Sequence, residues 1–237
     1  MSADLDLPPQ RHPGMLVSAF WQAAHEYGAR HLSRQTDDGA EEAFWQDYAP
    51  NYDRSSPLAE CATDLVNDLR TMICANWDMV EIGPGSGAFT RRLAPELSEI
   101  TVIEPSAAMR AEFQRLWHRP SAVKTIGCKW EEAPVLKADF VFGANAFYRI
   151  KDITTALMKM NDVARHRVAL VQTIGRPHAN PLAVDIDGMV HERERADCLC
   201  DVLEEMGISH NRRDYHIDRP DGPGMVALID WVPKASL

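Results

Sequence analysis

From Asp78 onward the sequence predicts an α/β domain, a parallel sheet with helices on both faces. Three observations point there. Short apolar runs at 79–82, 100–104, 122–126, 138–143 and 167–173 interleave with helical periodicity at 88–97, 106–117 and 152–164; parallel strands need such crossover helices. The first run leads directly into three closely spaced glycines. The chain then closes on two more strand-like runs, 208–217 and 225–232, which the turn Arg219-Pro220-Asp221-Gly222-Pro223-Gly224 joins as an antiparallel hairpin.

The remaining elements follow from periodicity and punctuation. Leu16, Val17, Phe20, Ala23, Ala24, Tyr27 and His31 recur at helical spacing, predicting an amphipathic helix over about 15–34 that ends before Thr36-Asp37-Asp38-Gly39. A helix with one apolar face must bury it, so this one, with Phe20 and Trp21, is expected to form a lid or a dimer contact. A second short helix runs through Phe44, Trp45 and Tyr48. Ser56-Pro57 is a good helix start, and Leu58, Ala62, Leu65, Leu69 and Met72 line one face to about Cys74. After 167–173 comes a Pro- and Gly-punctuated loop, 174–189, then a helix of about 190–206.

Composition bounds the partners. A chain of 237 residues, 45% hydrophobic and 25% charged, buries enough surface to need neither disulfides nor a metal. Its 35 acidic against 25 basic side chains, a formal charge of −10, argue against a grip on nucleic acid phosphates. The charge is uneven: −5 over residues 1–50, −2 over 51–77, zero over 78–150 and −3 over 151–237. No apolar run approaches the roughly 18 residues of a membrane span, and Met1 to Met15 lacks a secretory pattern. The expectation is a cytoplasmic protein, a monomer or homodimer without membrane attachment. Cys61, Cys74, Cys128, Cys198 and Cys200 have no C-x-x-C spacing and read as reduced thiols, with Cys198 and Cys200 on a helix and not in a metal site.

Met79-Val80-Glu81-Ile82 runs into Gly83-Pro84-Gly85-Ser86-Gly87 just before the helix expected at Ala88. Side chains at those glycines would block the tight turn or the approach of a ligand to the backbone. The spacing is G-x-G-x-G and not the G-x-G-x-x-G of a dinucleotide site, and Glu81 stands two residues ahead of it. A carboxylate there repels phosphate and suits a cationic amino group or sulfonium. Glu104 ends the second strand about twenty residues downstream, where an acid can accept bonds from both ribose hydroxyls. Loop and acid together describe a nucleoside site whose other end is zwitterionic.

These residues resemble the class I S-adenosylmethionine-dependent methyltransferases, small-molecule type. V-E-I-G-P-G-S-G-A-F-T (80–90) is similar to the family's first motif, V-I-E-P-S-A-A-M (102–109) to its second and G-C-K-W-E-E-A (127–133) to the segment after its third strand. A-D-F-V-F-G-A-N-A-F-Y-R-I (138–150) resembles the fourth-strand motif beside the transferable methyl. The resemblance covers about 45–237 and implies a Rossmann-like, seven-stranded, mostly parallel sheet in the order 3-2-1-4-5-7-6, with an N-terminal helical lid (1–55) on a methyltransferase domain (56–237). It implies S-adenosyl-L-methionine as cofactor and S-adenosyl-L-homocysteine as product. Carried over by position, Gly83, Pro84 and Gly85 would pack on the methionine moiety and Glu81 near its amino group. Glu104 would bind the ribose, Pro105 and Met109 would border the adenine, Trp130 would pack against it, and Asn145 would offer polar contact near the donor. F-W-Q-D-Y-A-P-N-Y-D (44–53) resembles the aromatic segment that closes over the donor, with Tyr48 and Tyr52 in contact. Where relatives have an Asp after the third strand, this chain has Cys128-Lys129, which leaves adenine recognition open.

Methyl transfer is an in-line displacement at a sulfonium carbon that needs mainly a held and aligned nucleophile, so no catalytic motif is required; an acceptor with a pKa well above 7 would need a general base. His178, Tyr148, Asp185 and His216 are candidates for it by their place in loops near the expected pocket mouth. Asn145-Ala146-Phe147-Tyr148 lacks the acid-or-Asn, Pro, Pro, aromatic run of enzymes acting on exocyclic base amines, and a Pro-Cys nucleophile is absent too. With the acidic balance, this favours a small-molecule acceptor over nucleic acid. Arg176, in the 174–189 loop, could meet a carboxylate or phosphate on it. Two rival readings remain at this point: a non-catalytic partner or sensor that binds the same donor, and a nicotinamide-dependent oxidoreductase.

Overall fold

The period-2 alternation of the strands decides how the chain layers. A computed structural model describes residues 15–119, 123–175 and 181–234. Its main sheet contains β1 (Trp77–Ile82), β2 (Leu97–Ile103), β3 (Val123–Ile126), β4 (Ala138–Ala144), β5 (Ala164–Ile174), β8 (Asn211–Arg219) and β9 (Gly222–Trp231), in the order β3-β2-β1-β4-β5-β9-β8. The first five are parallel, and β9 runs antiparallel to both β5 and β8. A separate hairpin, β6 (Leu182–Ile186) with β7 (Met189–Arg193), intervenes in sequence. Leaving that hairpin out of the numbering gives the expected order, 3-2-1-4-5-7-6.

Successive residues of each central strand enter opposite layers. Val141 of β4, Val168 and Leu170 of β5, and Ala227, Ile229 and Trp231 of β9 pack with α1 (Val17–His31), α8 (Ile153–Val163) and α9 (Arg195–Glu205). Their neighbours Phe140, Phe142, Ala169, Val171, Val226 and Leu228 face α4 (Leu58–Cys61), α5 (Thr63–Thr71) and α6 (Ala88–Leu93). Burial on both faces explains why these strands read as continuous apolar runs. Among the described residues three further α-helices complete the fold: α2 (Asp38–Tyr48), α3 (Tyr52–Ser55) and α7 (Ala107–Leu116).

Three sequence expectations need correction. The 174–189 segment is not a simple loop, and 189–193 is strand and not the start of a helix, which begins at Arg195. Leu182 and Val184 alternate toward the core, and Asp187-Gly188, both at positive φ, make the two-residue turn. This hairpin packs against α1, so the apolar face of α1 is covered within the chain: Trp21 is 1% exposed. The helix expected over 56–74 breaks at Ala62 into α4 and α5. The helix expected over 88–97 stops at Leu93, and a 3₁₀ turn containing Pro95 leads into β2. Cys198 and Cys200 lie on α9, where burial pushes their thiols up to about 12 and about 11. Among the described residues, no helix is long and apolar enough to cross a membrane.

Candidate active site

The sheet order reverses between β1 and β4, and open α/β sheets bind ligands where the strand order reverses, beyond the carboxyl ends of the strands. A cavity of about 600 Å³ lies there, within the usual size of ligand sites (roughly 300–1,000 Å³). Ile82 and Ile103 at the ends of β1 and β2, Ala144 at the end of β4, and the loops that follow them form its floor. The α2 helix and residues 25, 35 and 36 ahead of it form its roof.

The glycine loop makes the close approach that its composition requires. Gly83, Gly85 and Gly87 all have positive φ (59°, 58° and 82°). A Cβ on Gly83 would stand 2.8 Å from the Ala146 methyl, and one on Gly87 2.6 Å from the Phe113 ring. Gly85 lies between Met109 and Tyr52, whose nearest atoms would be 3.7 and 3.8 Å from such a Cβ. Glu104 ties this loop to the next one: its carboxylate accepts from the Gly85 N–H (3.1 Å) and the Ser106 N–H (2.9 Å). Burial nevertheless pushes its pKa up to about 7.

The other expected residues divide into two groups. Gly83, Gly85, Glu104, Pro105, Met109, Trp130, Asn145 and Tyr52 all line the cavity. Glu81, Pro84 and Tyr48 do not. The Glu81 carboxylate lies buried beneath the loop and accepts from Thr90 Oγ1 of α6 (2.6 Å); burial pushes it, too, up to about 7. Tyr48 stacks edge-on against Tyr52 from behind, with ring centroids 6.0 Å apart. Trp130 is a wall of the pocket, only 3% exposed, with its Nε1–H donated to the Ala156 carbonyl (3.0 Å). Lys159 holds that wall by donating to the Trp130 and Ala133 carbonyls (2.7 and 2.8 Å).

Asn145, at a positive φ of 50°, spends its carboxamide on β5: Nδ2 donates to Thr173 Oγ1 and Oδ1 accepts from Thr173 N–H, both at 2.8 Å. Its side chain therefore fixes the turn after β4. Cys128 and Lys129 line the cavity, where burial pushes the Cys128 thiol up. Of the candidate bases among the described residues, Tyr148 alone lines the cavity. Asp185 is engaged in the β6–β7 turn through the Gly188 N–H (2.9 Å), and His216 is exposed on the edge strand β8. Arg176 and His178 lie outside the described residues.

The roof supplies residues that sequence reading did not select: His25, Gln35, Asp38, Glu41, Glu42 and, below them, Arg149. Each is bonded across to the core. Asp37 caps α2 by accepting from Gly39 N–H (2.8 Å) and Ala40 N–H (3.1 Å). Asp38 then pairs with Lys129 (2.7 Å) and Arg149 (2.8 Å), which hold its carboxyl below the usual range. Glu41 accepts from Trp45 Nε1–H (2.7 Å) and from the Tyr148 hydroxyl. Burial and the Glu41 charge hold the Tyr148 phenol well above its ordinary pKa. Glu42 accepts the first N–H groups of α7, Ala107 (3.1 Å) and Ala108 (2.9 Å), where the helix dipole favours a negative charge. Asp53, beyond α2, accepts from Ser86 Oγ in the glycine loop and from Arg91 (2.5 Å). The roof is thus attached to every loop of the floor.

Residues 80–171 match the family model described as a methyltransferase domain. Over these residues the chain is similar to that family. Its sheet order agrees with that family's fold, as do solved structures that resemble it. The DhpI–SAH complex has a TM-score of 0.58 at 19% identity over 81% of this chain and 96% of that one. N-methyltransferase NodS from Bradyrhizobium japonicum WM9, in complex with S-adenosyl-L-homocysteine, has a TM-score of 0.53 at 18% identity over 73% and 87%. Magnesium protoporphyrin IX methyltransferase from Synechocystis PCC 6803, with bound SAH, has a TM-score of 0.53 at 13% identity over 74% and 83%. At these identities the likeness is one of fold. No curated protein matches the chain in sequence.

Proposed function

We propose that this methyltransferase domain takes its methyl group from S-adenosyl-L-methionine and delivers it to a small-molecule acceptor. One observation carries the reading: the positive-φ glycine loop and Glu104 meet at a single cavity at the reversal point of the sheet. The chemistry of that lining fits the donor. Bare backbone at 83–85 accepts the methionine part, Glu104 faces the ribose, and Pro105, Met109 and the Trp130 wall enclose the adenine. Glu81 acts from beneath, as a buried carboxylate under a cationic amino group. Asn145 shapes the turn beside the methyl group, and Tyr48 supports Tyr52 over it. When bound, the sulfonium supplies an activated methyl and a neutral leaving group, so the protein's part is alignment and exclusion of water. Residues 1–55 are the lid and 56–237 the catalytic domain, a division supported by the bonds that run from 25–53 to every loop of the floor.

A small acceptor is favoured because the cavity is roofed, and a macromolecular side chain would have to enter beneath α2. Six carboxylates on the lining (Asp38, Glu41, Glu42, Glu104, Glu131 and Glu132) face three basic side chains (Lys129, Arg149 and Lys151), which gives no phosphate-binding surface. Incubation with methyl-labelled donor and a size-fractionated cell extract tests this reading. Label is expected in the small-molecule fraction; label confined to protein or RNA would replace the acceptor class, and none anywhere would favour a donor-binding sensor.

A further inference from the structure

His25 sits on α1, a helix that precedes the sheet in the chain, yet it lines the cavity. One ring nitrogen, Nε2, lies 3.1 Å from the Arg149 carbonyl oxygen. A carbonyl only accepts, so Nε2 carries the proton and Nδ1 keeps its lone pair. Among the described residues Nδ1 has no hydrogen-bond partner. The tautomer is held in place by bonds on either side of it: Trp21 Nε1–H donates to the Ile150 carbonyl (2.7 Å), and Gln35 Nε2–H to the Tyr148 carbonyl (2.6 Å). The segment 148–150 follows β4, the strand whose end borders the proposed methyl position.

Resting on the donor reading above, we propose that His25 is the general base of the reaction, and that the acceptor is a small molecule whose nucleophile bears a proton, a hydroxyl or an amine. As the acceptor oxygen or nitrogen bonds the methyl carbon, the C–S bond breaks with its electron pair left on sulfur. The acceptor's proton passes to His25 Nδ1 and then to water. Of the four groups expected from sequence to play this part, Tyr148 lines the cavity, but it donates its hydroxyl to Glu41 and is held protonated. Burial, Lys151 and Arg149 lower the His25 pKa, opposed by the Arg149 carbonyl and Glu26. Lys151 is itself paired with Glu26 (2.7 Å), and Asp38 and Glu41 face the same cavity from α2. The imidazole is therefore neutral, and able to take a proton, at pH 7.

The test uses the full chain and its His25→Gln variant, in which the Gln amide can still donate to the Arg149 carbonyl but cannot take up a proton. Nitrogen-15 NMR of the labelled protein should show His25 protonated at Nε2 and titrating below 6.5. Methyl transfer from labelled donor to the small-molecule fraction should fall on the acid side in step with that titration. The variant should melt normally and bind S-adenosyl-L-homocysteine within twofold of the unmodified protein, yet transfer about 100-fold more slowly and lose the acid limb. A proton on Nδ1, transfer by the variant within threefold of the unmodified rate, or no transfer by a protein that binds S-adenosyl-L-homocysteine would each overturn the proposal alone. Failure of the unmodified protein to bind it would overturn the donor reading as well.

Discussion

Glu104 and Glu81 are both buried carboxylates raised from 4.5 to about 7, although each accepts at least one hydrogen bond. Desolvation outweighs the hydrogen bonds. A folded-state pKa above the unfolded value gives stability that is complete below about 4.5 and is lost as pH rises through about 7. The free protein should therefore lose stability to denaturant between about pH 4.5 and pH 7 and level off above it, and Glu104→Gln should flatten that slope. A cationic donor reverses the preference, because it interacts with the ionised acids. Its affinity should rise about threefold or more over the same interval, with proton release seen as a buffer-dependent binding enthalpy in calorimetry. An affinity that is flat with pH would remove both glutamates from the donor site.

Among the elements, α2 does the most to shape the site, since Glu42 caps α7 while Asp38 and Glu41 hold the loops after β3 and β4. Glu42→Ala leaves the Ala107 and Ala108 N–H groups without their carboxylate. It should cost about 1 kcal/mol in denaturant unfolding, the ordinary scale of a lost helix cap, and weaken donor binding through the Pro105–Ala107 wall. Glu42→Gln, which keeps an acceptor, should recover part of both. None of these roof residues was legible in the sequence, because their partners are far away in the chain: Gln35 and Tyr148 are separated by 113 positions. The glycine loop and Glu104 were legible because local backbone geometry and one strand's length fix them. The β6–β7 hairpin did carry a signal, Asp187-Gly188 between alternating apolar residues, but Pro and Gly punctuation on its N-terminal side read more strongly as loop.

Across the whole molecule, the uneven charge acquires a location. The 78–150 segment that provides the floor is neutral, while residues 1–50 carry −5, and three of their acids, Asp38, Glu41 and Glu42, line the cavity. The acidity of the N-terminal segment is thus partly spent on joining roof to floor. The parallel sheet was legible in the short continuous apolar runs that burial on two faces produces, while its seven-stranded order came from the resemblance of its motifs to the methyltransferase family. The central claim is that the cavity between roof and floor binds S-adenosyl-L-methionine. Titration calorimetry tests it most directly. Micromolar binding of S-adenosyl-L-methionine and S-adenosyl-L-homocysteine, weakened at least tenfold by Glu104→Ala or Gly85→Arg in proteins that still fold, is the predicted result; no binding by the unmodified chain would contradict it.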